Sequence, residues 1–195
     1  MEYDLIGNAM DSLNEAIDYY RSGKDFGDVS RYKYCILLLA HSAELILKEV
    51  LFNEHEYLLY EDLDKVNEEN PRTVGFLTAL SRVKKICKID LKSYEHYLRE
   101  LYNKRNKIQH YKFIISQQHY EKIIIQAFSA IEYLVIEILD KTFNDFEDYI
   151  SNEQIEYLHE DKDVYNKRKQ DIARDIRERI DPLILDKNSL ILPIS

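Results

Sequence analysis

The chain has no tryptophan, three prolines, four glycines and two cysteines in 195 residues. Each shortage excludes something. With so few breakers, long uninterrupted helices are expected. Four scattered glycines cannot build a Gly-rich phosphate loop. Cys35 and Cys87 have no metal-ligand spacing, and Cys35 heads an apolar run that suits a small buried hydrophobe. No H-E-x-x-H, no C-x-x-C and no Asp/Glu cluster with carboxylate-only metal spacing is present, so no metal and no cofactor are expected. The apolar runs are too short or too interrupted to span a bilayer. Met1-Glu2-Tyr3-Asp4 is acidic, unlike the start of a signal peptide. The chain reads as cytoplasmic, without a membrane partner.

What is present is 45% hydrophobic and 32% charged residues, the balance of a mostly helical protein with a real core. Sixteen tyrosines suit partly buried helix surfaces, where the ring packs and the hydroxyl stays wet. The formal net charge of −9 argues against a generic nucleic-acid coat. Its distribution is uneven. Between Arg82 and Lys112 stand ten Lys/Arg against Asp90, Glu95 and Glu100, so that segment carries +7 and the remainder −16.

Periodicity predicts a first helix from Tyr3 to Arg21, ended by Ser22-Gly23-Lys24. A second, capped by Asp28 or Ser30, spans Tyr32 to Phe52 and is apolar over most of its circumference, as a central bundle helix must be. Residues 53–72 are acidic and end at Asn70-Pro71. A short helix from Thr73 to Ile86 follows, then a long one capped by Asp90 and running through Lys112. Ser116 caps another, from Gln117 to Lys141. These are the parts of an all-α protein, an antiparallel four-helix bundle over residues 1–142. Residues 143–195 change texture. They are acidic, then mixed in charge from Lys167-Arg168-Lys169 to the stop at Asp181-Pro182, and finally apolar at Leu190–Ile194. They read as a C-terminal helical extension.

The chemistry concentrates in Arg105-Asn106-Lys107-Ile108-Gln109-His110. A permanent cation, an amide and an imidazole lie within about two helical turns, enough to grip a phosphate and move a proton near neutral pH. Arg105 shares a seam with Tyr94, Leu98, Leu101 and Ile108, so it interrupts an apolar stripe. A guanidinium there is costly unless a carboxylate or a phosphate meets it. Asn103, Asn106 and His110 line the neighbouring ridge. Arg105 and His110 lie about 140° apart on a straight helix and cannot converge from one copy alone.

This R-N-x-x-x-H run resembles the R-x(4–6)-H signature of the HEPN superfamily, in which a polar residue, often Asn, follows the arginine. The stretch Ala40–Lys48, with His41, Glu44 and Lys48 on one face, is similar to the corresponding HEPN helix. The resemblance implies a metal-independent endoribonuclease acting on RNA, with Arg105, Asn106 and His110 catalytic and Glu44 and Lys48 supporting. Lys104, Lys107 and Lys112 of the basic segment would bind substrate. It further implies a homodimer whose two copies build one composite cleft. A toxin–antitoxin or phage-defence role follows, with an antitoxin or regulatory protein as a further partner. Other readings of the residues stay open. Glu44 and Lys48, four apart, suit an ordinary ion pair. Arg105 can pair with an acid such as Glu44, and His110 can simply end a helix. His55, His96, His119 and His159 read as surface residues. The alternatives to an enzyme are a non-catalytic nucleotide- or RNA-binding HEPN module and a helical interaction protein.

Overall fold

Asp4 opens helix α1 (Leu5–Phe26) by accepting a hydrogen bond from the Gly7 N–H at 2.7 Å, a side-chain cap on an otherwise orphaned donor. The computed structural model describes residues 4–110, 116–164, 166–167 and 170. In it α1 runs through Ser22-Gly23-Lys24 instead of stopping there, and ends at Gly27, which takes the left-handed conformation at φ 66°. Gly23 is tolerated inside the helix for a packing reason. A Cβ at that position would lie 2.7 Å from the fully buried ring of Tyr32, so the missing side chain admits the tyrosine.

Asp28 caps α2 (Val29–Glu54) through the Ser30 N–H at 3.0 Å, and from Cys35 to Leu51 α2 is buried on nearly every side. It packs most extensively against α1 and also meets α3 (Phe76–Lys85), α4 (Tyr94–His110) and α5 (Gln117–Tyr133). Every regular element among the described residues is helical, and the only strand-like pairing is one antiparallel bridge, Tyr60 to Thr73. The protein is an all-α bundle built around α2. Two short 3-10 turns, Glu56–Leu59 and Leu63–Lys65, fill the acidic connection before α3.

Several boundaries differ from the sequence expectation, each for a local reason. Asp90 caps a turn through the Lys92 N–H at 2.9 Å, not the long helix. Lys92 then adopts φ 51°, which helix cannot propagate, so α4 begins only at Tyr94. Helix α3 starts at Phe76 behind Gly75. Helix α5 changes to a π-helical turn over Leu134–Ile138, and Asp140 at φ 53° lies beyond it, short of the expected Lys141.

The compact unit extends from Met1 to Leu158, so the 142/143 boundary read from texture falls inside it. Apolar side chains explain the extension. Phe143, Phe146, Ile150, Ile155 and Leu158 join the same core cluster as α1, α2 and α5, and Phe143 stacks on Phe128 with ring centroids 6.1 Å apart. Thr142 and Asp145 form a capping box at the start of this segment. Arg21 reaches Glu153 at 2.7 Å, and Gln154 donates to Asp18. Tyrosines prove more central than expected: Tyr20, Tyr32 and Tyr120 are buried and form a chain with Tyr157, with centroids 5.8–6.2 Å apart. A second unit comprises His159–Ser195, and its described residues are helical. Lys112, Arg168-Lys169, the Asp181-Pro182 stop and the Leu190–Ile194 tail lie outside the described residues.

Ile150, 2% exposed, tests whether the segment after α5 belongs to this core. Ile150→Ala should cost about 2–4 kcal/mol in denaturant unfolding. A loss under about 0.5 kcal/mol would place the segment outside the cooperative unit.

Candidate nucleic-acid interface on helix α4

The bundle core divides α4 lengthwise. Leu98, Leu101 and Ile108 are buried against the rest of the unit, and Arg105 stands in that row. Arg105 is half-buried. Nη1 donates to the Oδ1 of Asn106 at 3.1 Å, and no carboxylate among the described residues lies within ion-pair distance. Asn106 is also half-buried, whereas His110 is exposed. Thus Arg105 and Asn106 are brought together, and His110 projects separately, about 140° round the helix from Arg105.

Glu44 does not orient the motif. Its Oε1 accepts from Lys48 Nζ at 2.9 Å, and Lys48 also donates to Thr73 Oγ1 at 3.2 Å. Lys48 is buried, so this pair holds a cation at the edge of the core and ties α2 to the Tyr60–Thr73 bridge. His41 is exposed. The supporting role expected of Glu44 and Lys48 toward Arg105 or His110 therefore has no direct contact behind it. The reading of the two residues as an ordinary ion pair describes what is seen.

Much of the basic segment also has structural duties. Arg82 Nη1 donates to the carbonyls of Leu58 and Tyr60 at 2.6 and 2.8 Å. Glu95 accepts from Lys84 at 2.7 Å and from Arg99 at 2.9 Å, and these two cations hold its carboxyl below the usual range. Lys92 lies 5.1 Å over the ring of Tyr133. These residues brace the fold.

Lys104 and Lys107 do something different. They face an open cleft of about 570 Å³ between α4 and α5, lined also by His96, Arg99, Glu100, Asn103, His119 and Lys122. Lys104 Nζ lies 3.1 Å from His119 Nε2. An ammonium has only protons to offer, so the ring nitrogen must accept and the imidazole is neutral. Burial, then the charges of Lys104 and Lys122, push His119 below the usual imidazole range, with Glu100 opposing. Burial and the charge of Lys107 lower Lys104. His119 was expected to be a plain surface residue. Its partner lies on another helix, fifteen positions away, which no spacing rule within one helix reveals.

Set against protein-family models, curated proteins and solved structures, the chain matches none. The HEPN resemblance thus rests on the residues of α2 and α4. No helix of the described residues is long and apolar enough to cross a membrane, and no three of their His, Cys, Asp or Glu side chains gather to hold a metal ion.

The Glu44–Lys48 assignment predicts a stability phenotype. Glu44→Ala strands a buried ammonium and should cost about 1–3 kcal/mol. Adding Lys48→Met should recover most of that loss, because the uncompensated charge is gone. A double variant no more stable than Glu44→Ala would contradict the pairing.

Proposed function

We propose that this chain is a metal-independent endoribonuclease of HEPN type, working in the cytoplasm as a homodimer with Arg105, Asn106 and His110 at its active site. The observation that carries the reading is Arg105. It occupies an apolar row, half-buried, and among the described residues its one hydrogen-bond partner is the neutral amide of Asn106. A guanidinium held in place but not neutralised is suited to a phosphate.

The chemistry follows from the residue types. The RNA 2′-hydroxyl attacks the adjacent phosphorus, so an O2′–P bond forms and the P–O5′ bond breaks. His110 acts as general base or general acid, taking the 2′-hydroxyl proton or protonating the departing 5′-oxygen. Arg105 binds two phosphate oxygens and stabilises the charge that develops on them. Asn106, its carbonyl committed to Arg105, holds the fork and has amide protons left for the phosphate or the imidazole. The products are a 2′,3′-cyclic phosphate and a 5′-hydroxyl. Because Arg105 and His110 diverge on one helix, the arginine of one protomer serves the histidine of its partner. Lys104 and Lys107 feed the substrate chain toward His110, which lies one turn beyond Lys107 on the same face of α4. A toxin or phage-defence effector held in check by an antitoxin is the biological setting that fits such an activity. A second reading, a non-catalytic RNA- or nucleotide-binding module, is favoured by the α4–α5 cleft, which gathers cations without involving His110.

Cleavage should persist in excess EDTA and leave cyclic-phosphate ends. Loss of activity in chelator, restored by magnesium, would sink the mechanism. His110→Ala should lower the rate by about 10²–10⁴ with little change in melting temperature. Arg105→Lys keeps the charge, loses the planar fork and should cost about 10²–10³ in rate. Arg105→Ala should unfold within about 0.5–1 kcal/mol of the parent, since no carboxylate among the described residues is stranded. Tight RNA binding with no cleavage in the parent protein selects the binding module instead.

A further inference from the structure

Two pairs of side chains face each other across the α4–α5 cleft, each pair three residues apart on its own helix: Lys104 and Lys107 on α4, His119 and Lys122 on α5. Residues at that spacing are neighbours on one helix face. Arg99 is bonded to Glu95 at 2.9 Å, and Glu100, the one carboxylate of the lining, lies 3.9 Å from His96. Lys107 and Lys122 have no ion-pair partner among the described residues, and Lys104 is bonded to a neutral ring. Three ammonium groups are therefore gathered round one concavity that holds a single carboxylate, Glu100. Such an arrangement is held at a cost that a bound anion removes.

We propose that this cleft binds the phosphate backbone of a single-stranded polynucleotide, with Lys104, Lys107 and Lys122 neutralising its phosphates and His119 taking up a proton as the chain binds. The site stands apart from Arg105 and operates whether or not the chain cleaves RNA. Phosphate fits better than carboxylate for a geometric reason: the cations lie on both walls, and a tetrahedral phosphate offers oxygens to both at once. The linked proton follows from the Lys104–His119 contact. In the empty cleft burial, Lys104 and Lys122 disfavour the imidazolium, and only Glu100 favours it. Lys107, Arg99 and His96 complete the charged and titratable groups of the lining. A phosphate between the walls reverses the balance, so His119 gains a proton and Lys104 turns its own toward the ligand. Affinity must then rise as pH falls through the imidazole range.

The test uses the full chain and a labelled 2′-O-methyl oligoribonucleotide, which has no free 2′-hydroxyl and reports binding even if cleavage is absent. Binding is measured against salt and pH. In the Lys107→Gln/Lys122→Gln variant the slope of log affinity on log salt should flatten by about 1.4, near 0.7 per lost single-strand phosphate contact. His119→Gln can still accept from Lys104; it should bind like the parent at high pH and lose the strengthening at low pH. Circular dichroism and melting confirm that both variants fold. Inorganic phosphate at equal charge should compete far more weakly than the oligonucleotide; equal competition would mean that the cleft takes one free phosphate, which overturns the assignment to a chain. An unchanged salt slope in the double-lysine variant overturns the site, as does equal displacement by polyglutamate. A pH dependence that survives His119→Gln overturns the proton linkage.

Discussion

Between Cys35 and Leu51 helix α2 has almost no outside, and the other helices take their positions from that fact. Thirteen of its residues are buried, from Tyr32 to Leu51, so α1, α3, α4 and α5 must each present an apolar row to it. Burial of this kind is non-directional and sums to the main favourable term in folding. It also leaves little tolerance for charge. The one ammonium drawn inside among the described residues, Lys48, is held by Glu44 and Thr73 together, and the carboxylate is thereby unavailable to the arginine of α4.

The same constraint sorts the chemistry of α4. With Leu98, Leu101 and Ile108 committed to the core, the helix has one inward row and one outward face. Arg105 stands in the inward row and is steadied by Asn106. Lys104 and Lys107 fall on the outward side, where α5 supplies His119 and Lys122. A single helix thus carries two kinds of cation: one fixed guanidinium among apolar neighbours, and a pair of ammonium groups in a wet cleft. Fixed planar forks suit precise contact with a reacting phosphate, and flexible point charges suit the rest of a chain.

The helical class and the position of every long helix among the described residues could be read from the sequence, because the apolar stripes of Leu13–Tyr20, Ile36–Leu51 and Ile123–Leu134 are strong and long. Helix ends were less legible where backbone conformation or a distant side chain decides them. Gly23 looked like a stop, yet it is a space for the ring of Tyr32, nine residues ahead. Asp90 looked like a helix cap, but Lys92 at φ 51° delays the helix to Tyr94. The acidity of residues 143–158 concealed five apolar anchors spaced too irregularly to show a period. In the candidate site, the Arg105–Asn106 bond is adjacent in sequence and the Glu44–Lys48 pair obeys a helical spacing. His119 obeys none, since its partner comes from tertiary packing.

Arg105 and His110 diverge on α4, so one protomer alone cannot assemble the proposed catalytic pair. Cleavage rate per protomer, measured over a dilution series alongside the dimer fraction from sedimentation, tests this directly. The account predicts a rate that tracks the dimer fraction and vanishes with it. A full rate per protomer in solutions that are wholly monomeric would contradict it.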